Sequence, residues 1–261
     1  MKVKLVAILV FVFFVSCASG FYKKKKIYTS DDLVIYFLDQ SDYPDEKEIR
    51  AQLPPLLPIP ENSIEILSFA LSELKIEKKE IFGKNEYPLF YPEQLYEILA
   101  VFKDILPNVP EGKRLLVVQK YDPFKTLFSK EKRTTFMFWY DEFGYNLVVG
   151  ESHEDLLMDS FSTKKDWLDF YPVSFKRNNP KLKIIKTDFF EYKQVGDFTH
   201  YTWITFQKDV VSQLIPKQKE TSALDFPQVE EKLKRLKELY DKKLITKEEY
   251  DSKRKEILKN F

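Results

Sequence analysis

The sequence predicts an α+β fold: a mostly antiparallel sheet with a few packed helices, followed by a two-helix hairpin at the carboxyl end. Three observations carry that expectation. Runs rich in β-branched and aromatic residues recur through the middle of the chain, separated by turn residues. One long stretch from Pro92 places its apolar residues at helical spacing. After Val229 the composition turns to lysine, glutamate and regularly spaced leucine.

The elements follow in order. Ile27 to Leu38 reads as a β-rich run that enters the polar loop beginning Asp39-Gln-Ser-Asp. Leu53 to Pro60 holds four prolines, so it predicts an extended connector packed by its leucines, since proline removes a backbone donor and blocks helix. Ile64, Leu67, Leu71 and Leu74 predict a helix after Asn62-Ser63, although Ile64 and Ile66 also tolerate a strand. Pro92 suits a first helical turn, and Leu95, Ile98, Leu99, Phe102, Ile105 and Leu106 form one apolar face that Pro107 ends.

Arg114 to Lys120, Arg133 to Tyr140 and Tyr145 to Val149 read as antiparallel strands. Asp141-Glu-Phe-Gly144 closes the last two with its glycine at positive φ. Ile184 to Tyr192 and His200 to Gln207 alternate in polarity around Gly196-Asp197 and predict a second hairpin. The expected body spans 27–215, and a polar linker over 216–228, bounded by Pro216 and Pro227, leads to a helical segment over 229–261.

The amino terminus is a short basic stretch, an apolar run from Leu5 to Val15, and then Ser16-Cys17-Ala18-Ser19-Gly20. That run is shorter than the ~20 residues a spanning helix needs, and it has the proportions of an export signal. Phe14-Val15-Ser16-Cys17 resembles the lipobox of bacterial lipoproteins. That resemblance implies cleavage before Cys17, so that 1–16 is a signal peptide, 17–26 a lipidated basic tether and the Cys17 thiol the site of lipidation. Phe14 departs from the usual aliphatic residue. Ordinary secretion with an incidental cysteine and an uncleaved anchor are the competing readings. Cys17 is the single cysteine, so no internal disulfide is available. Ala18 stands where an aspartate would resemble an inner-membrane retention signal, which favours the outer membrane in an organism with both. Four lysines, Lys23 to Lys26, form either a solvated tether or a contact with anionic head groups, where each adds about 1 kcal/mol.

Val229 to Leu258 is similar to the short carboxyl-terminal family known as SHOCT. Leu233, Leu236, Leu239 and Tyr240 share one stripe, Leu244 and Ile245 form an apolar turn, and Thr246 with Glu249 makes a capping box for a second helix. Tyr250, Ile257 and Leu258 supply the returning face, and Glu231–Arg235 and Glu249–Lys253 are the expected ion pairs. Lys243 departs from the family, which usually ends the first helix with glycine. A looser or differently closed turn is therefore expected there. A hairpin this small buries too little surface to fold alone, so it is expected to dock. The resemblance implies protein contact or homo-oligomerisation through 229–261. A second likeness covers Tyr87 to Asp155, where Pro88-Leu-Phe-Tyr-Pro-Glu-Gln94 and Tyr140-Asp-Glu-Phe-Gly-Tyr-Asn-Leu-Val-Val-Gly-Glu151 resemble uncharacterised bacterial lipoproteins. No activity comes with it.

Chemistry-bearing patterns are scarce. Basic and acidic residues number 42 and 41, and removal of Lys2 and Lys4 with the leader leaves the balance at about −1, so no nucleic-acid partner is expected. There is no His-x-x-x-His, Cys-x-x-Cys or Asp-x-Asp-x-Asp-Gly pattern, no Gly-x-Ser-x-Gly elbow, and with 6 glycines no phosphate-cradling loop. No cofactor, metal ligand or catalytic residue is assigned. His153 lies in the acidic stretch Gly150-Glu-Ser-His-Glu-Asp155, read as a solvated loop, and His200 opens a strand as a surface or cross-strand residue. Phe136, Phe138, Trp139 and Tyr140, with Phe170-Tyr171 and Phe189-Phe190, read as sheet packing or as the wall of a groove. The sequence therefore points to a non-enzymatic, membrane-anchored envelope lipoprotein. A hydrolase or carbohydrate binder with an aromatic-lined cleft is the alternative, and a ligand-free surface antigen is a third possibility.

Overall fold

Seven strands form the main sheet in the order β1-β2-β5-β6-β7-β10-β9, with every neighbouring pair antiparallel. They are β1 (Lys24–Thr29), β2 (Leu33–Asp39), β5 (Lys113–Tyr121), β6 (Lys132–Asp141), β7 (Gly144–Asp155), β9 (Glu191–Val195) and β10 (Phe198–Phe206). A smaller antiparallel sheet, β4-β3-β8, comprises β3 (Lys75–Glu80), β4 (Gly83–Pro88) and β8 (Leu182–Ile184). Five helices complete the described chain: α1 (Ser63–Ser72), α2 (Pro92–Ile105), α3 (Lys208–Lys219), α4 (Phe226–Asp241) and α5 (Lys247–Lys259). The computed structural model describes residues 24–39, 53–61, 63–80, 83–122, 131–156, 167–168, 175, 177–219 and 226–259. The expected α+β class is the observed one.

The central strands are apolar at successive positions because both faces of the sheet are covered. Leu115, Val117, Phe136, Phe138, Leu147 and Val149 pack in one cluster with Leu67, Leu71, Leu95, Ile98, Leu99 and Phe102 of α1 and α2. The alternate residues Leu116, Val118, Met137, Trp139 and Val148 pack with Leu56, Phe175 and Trp203 in a second cluster. Period-2 side-chain alternation thus divides one sheet between two cores. Ser63 fixes the start of α1 to the sheet, its hydroxyl 2.7 Å from that of Tyr145. Pro92 opens α2, and the Gln94 side chain accepts the Tyr91 N–H at 3.0 Å.

Several expectations are corrected. The run Ile27–Leu38 is two strands, β1 and β2, joined by a turn in which Ser30 N–H donates to Leu33 O at 2.8 Å and Leu33 N–H to Ser30 Oγ at 3.0 Å. Asp31 and Asp32 supply that turn. Lys24, Lys25 and Lys26, expected in the tether, form the exposed start of edge strand β1, where lysine discourages pairing with another sheet. Strand β7 runs to Asp155, past the expected end at Val149. Ile184–Tyr192 is not one strand: β8 ends at Ile184 and pairs with β3, whereas β9 starts at Glu191 and pairs with β10. Helix α3 runs through Pro216 to Lys219 and α4 starts at Phe226, so the stretch expected as a linker is helical at both ends. The extended connector, the helix over α1, both hairpin turns and α2 stand where the sequence placed them.

Candidate functional site

Cys17, the site assigned to lipidation, lies outside the described residues, as do Phe170 and Tyr171. Among the described residues no helix is long and apolar enough to cross a membrane. Among them, too, no three His, Cys, Asp or Glu side chains gather as a metal site.

Gly150–Asp155, read as a solvated loop, is strand, and its middle is buried: Ser152 is 1% and His153 5% exposed. The backbone of His153 has φ 51, a left-handed conformation rare for a residue with a Cβ. Its N–H donates to Thr134 Oγ1 at 3.3 Å, and Lys78 Nζ donates to the carbonyls of Ser152 and His153 at 2.9 and 3.0 Å. Its ring packs against Tyr91 at 4.8 Å, with Nε2 3.0 Å from Pro88 O. A carbonyl can only accept, so Nε2 carries the proton. Nδ1 is buried without a hydrogen-bond partner. Burial, reinforced by Lys78 and Lys132, pushes the imidazole down to about 4 against the opposing bond to Pro88. The residue holds two sheets together as a neutral group and offers no proton near neutral pH.

Beside it, Arg133 meets Glu151 in a bidentate pair, Nε to Oε2 at 2.7 Å and Nη2 to Oε1 at 3.0 Å, while Nη1 reaches Trp167 O at 3.1 Å. Sequence reading missed this pair because a register shift in β6 and β7 is what places the two residues on one face. His200, expected as a surface or cross-strand residue, is not at the surface: it lies opposite Lys193 of β9, fully buried, 3.3 Å from Thr202 Oγ1 and edge-on to Trp203. Phe136, Phe138, Trp139 and Phe190 are core residues, so the aromatic strand packs the sheet and does not wall a groove.

The carboxyl-terminal segment gives the clearest surface. In the turn between α4 and α5, Lys243 has φ 56, Lys243 N–H donates to Tyr240 O at 2.8 Å, and Leu244 N–H donates to Leu239 O at 2.9 Å. These are the two bonds of a Schellman cap with lysine in the glycine position. The turn is therefore tightly closed, correcting the looser turn expected from Lys243. Thr246 and Glu249 form the expected capping box: Thr246 N–H donates to Glu249 Oε2 at 2.8 Å and Glu249 N–H to Thr246 Oγ1 at 3.2 Å. That occupies Glu249, so Lys253 pairs with Glu256 at 2.7 Å in place of the expected Glu249. Glu231 and Arg235 do pair, at 2.5 Å.

The hairpin docks on α2 of its own chain. Val229, Leu233 and Leu258 are buried together with Tyr96 and Ile257 packed against them. Lys103–Glu230 at 2.8 Å and Arg254–Glu97 at 3.6 Å flank that contact. Burial and the neighbouring Glu230 raise the Tyr96 hydroxyl above its usual range, against the pull of Arg254. The far end stays uncovered, with Leu239, Tyr240 and Leu244 at 42%, 38% and 67% exposure. One more concavity lies beside the docked hairpin. It is an open cleft of about 370 Å³ between the β1–β2 turn and α2, with Tyr28, Leu33, Tyr96, Ala100 and Val101 among its lining residues. Asp31, Asp32 and Glu97 are its charged lining. Nothing in the sequence marked this cleft, because its parts come from a turn and a helix about 65 positions apart.

Comparison with known proteins bears on one end of the chain. No curated protein and no solved structure matches it significantly. The Short C-terminal domain family, SHOCT, matches residues 231–258, so the α4–α5 hairpin is a SHOCT domain.

Proposed function

We propose that this chain is a lipid-anchored protein of the bacterial cell envelope, without catalytic activity, whose SHOCT hairpin is a braced arm for protein contact or self-association. One observation carries the reading. The hairpin is fixed to α2 at its base through Val229, Leu233 and Leu258, yet holds Leu239, Tyr240 and Leu244 out in solvent at its tip. Exposed leucine on an element that has already buried its other leucines is what a contact surface needs, since its burial by a partner is favourable by about 25 cal/mol per Å². The anchor rests on the signal-like leader and the lone Cys17. Ala18 favours the outer membrane where two membranes exist.

Two measurements test the reading. Mass spectrometry of the native amino-terminal peptide is expected to find Cys17 acylated and first in the mature chain; a free thiol or an intact leader removes the anchor. Crosslinking in cells, repeated with 228–261 deleted and with Leu244→Asp, is expected to lose the crosslinked species in both. An unchanged set would end the hairpin's role.

A further inference from the structure

We infer that the body rests on the bilayer by one end of its main sheet, the end carrying the β6–β7 turn, with Phe143 and Leu57 entering the lipid interface. This rests on the proposed anchor at Cys17 and adds how the anchored body is oriented. The strand register identifies the end. Lys24, where β1 begins, lies opposite Leu38, Leu38 lies opposite Arg114, and the next residue of β5, Leu115, lies opposite Phe138 of β6. Trp139 lies opposite Asn146 and Asp141 opposite Gly144, so the start of β1 and the turn Asp141–Gly144 are at the same end. Phe206, the last residue of β10, lies opposite Tyr145 there, which brings the first turn of α3 to that end as well. Leu57 joins it, because its N–H donates to Tyr140 O at 2.9 Å.

That end gathers the exposed apolar side chains of the body. Phe143, Leu57 and Val210 are 48%, 43% and 38% exposed, and the remaining exposed large apolar side chains among the described residues are the three at the hairpin tip and Tyr201, midway along β10. The opposite end of the sheet is charged instead, with Asp31, Asp32, Glu131, Lys132 and Asp155. The turn holds Phe143 outward. The Asp141 carboxylate, itself buried, accepts the Phe143 N–H at 2.9 Å and the Trp139 indole N–H at 3.2 Å, and Gly144 abuts the Phe206 carbonyl too closely for a Cβ. Lys193 Nζ lies 4.5 Å over the Phe143 ring, setting a cation on a long apolar stem beside an aromatic, as suits the boundary of lipid and water. The charges of this end are mixed, Lys113 beside Asp39 and Lys208 next to Asp209, so apolar burial and not net charge makes the contact.

The reach of the anchor selects lipid as the occupant. Seven residue steps separate Cys17 from Lys24, a span of at most about 25 Å. From β1 to the β6–β7 turn is three to four strand spacings, about 14–19 Å across the sheet. A bilayer holding the acyl chains is therefore within reach of the whole of that end. The charged end stands a strand length further off, about 30 Å along β5.

The lipidated full chain in vesicles of phosphatidylethanolamine and phosphatidylglycerol tests this, with nitroxide labels read by electron paramagnetic resonance. An acylated Cys17 has no free thiol and the chain has no other cysteine, so Phe143→Cys, Leu57→Cys, Asp31→Cys and Leu244→Cys each take one label. Collisions with oxygen, which concentrates in lipid, are compared with collisions with a water-soluble nickel chelate. That ratio is expected to be several-fold higher at 143 and 57 than at 31 and 244. Adding Phe143→Asp to Leu57→Cys is expected to bring the ratio at 57 down to that at 31. Labels at 143 and 57 as water-exposed as at 31, or a label at 57 indifferent to Phe143→Asp, would overturn the orientation and leave the anchor standing. Lipid contact at 244 without contact at 143 would overturn it too, and would end the arm's role as a protein contact. Two labels per chain, one of them on Cys17, would end the anchor and this orientation with it.

Discussion

His153 is buried with its Nε2 proton given to Pro88 and its Nδ1 enclosed without a partner, so the folded chain resists a second proton on the ring. Its pKa falls from 6.5 to about 4. Between those values the unfolded chain binds a proton that the folded chain refuses, so stability falls as pH drops from 6.5 towards 4 and is fully retained above 6.5. The loss over that window is about 3 kcal/mol. Unfolding free energies from urea titrations at pH 7 and pH 4.5 are expected to differ by about 2 kcal/mol more in the wild type than in His153→Asn, whose side chain tolerates the left-handed backbone and does not titrate. Equal separation in both would show that other groups carry the acid sensitivity. The neighbouring Arg133–Glu151 pair is a buried ion pair, with Arg133 only 1% exposed. Glu151→Gln leaves that guanidinium buried without its counter-charge and is expected to lower stability by about 3–5 kcal/mol, read from denaturant unfolding at pH 7. Replacing both residues by apolar ones of similar size would recover much of the loss, and failure to do so would mean the pair orders the strand as well.

At the scale of elements, the hairpin's own turn is its weak point. Lys243 occupies a left-handed position that disfavours a side chain by about 1 kcal/mol, so Lys243→Gly is expected to stabilise α4–α5 by that amount and Thr246→Ala to weaken it by about as much. Amide hydrogen exchange of α4 and α5 would show protection moving in opposite directions; movement the same way would contradict the assigned caps. The capping box of α5, α2 and both β-hairpin turns were legible because each announces itself within a few residues: Thr-x-x-Glu, a first-turn proline, a glycine at positive φ. Strands β3 and β4 were not legible. Lys-Ile-Glu-Lys-Lys-Glu and Gly-Lys-Asn-Glu-Tyr-Pro bury little beyond Ile76, so no apolar alternation marks them, and their pairing is sustained by the ladder and by Lys84–Glu77 at 2.7 Å. The end of β7 was hidden for another reason. His153 and Glu151 read as solvent-facing by type, and only the paired sheets decide that they are buried.

For the whole molecule, the question is whether body and hairpin unfold as one unit. The body has two cores, one on each face of a seven-stranded sheet, with α1 and α2 built into the first. The hairpin adds a third cluster of only three buried residues, Val229, Leu233 and Leu258, resting on Tyr96 at the outer side of α2. Burial of each such leucine or valine stabilises by about 1.5–3 kcal/mol, and the flanking ion pairs Lys103–Glu230 and Arg254–Glu97 are partly exposed and contribute under about 1 kcal/mol each. The docking contact is therefore of the size of a local opening and well below that of a domain core. Leu233→Asp places a charge in the contact and is expected to release the hairpin: protease cleavage within 226–259 should rise steeply, while the melting temperature of the body changes by no more than about 2 °C. Should the body's melting temperature fall with hairpin release, the hairpin would belong to one cooperative unit with α2, and a partner pulling on its tip would then act on the sheet itself.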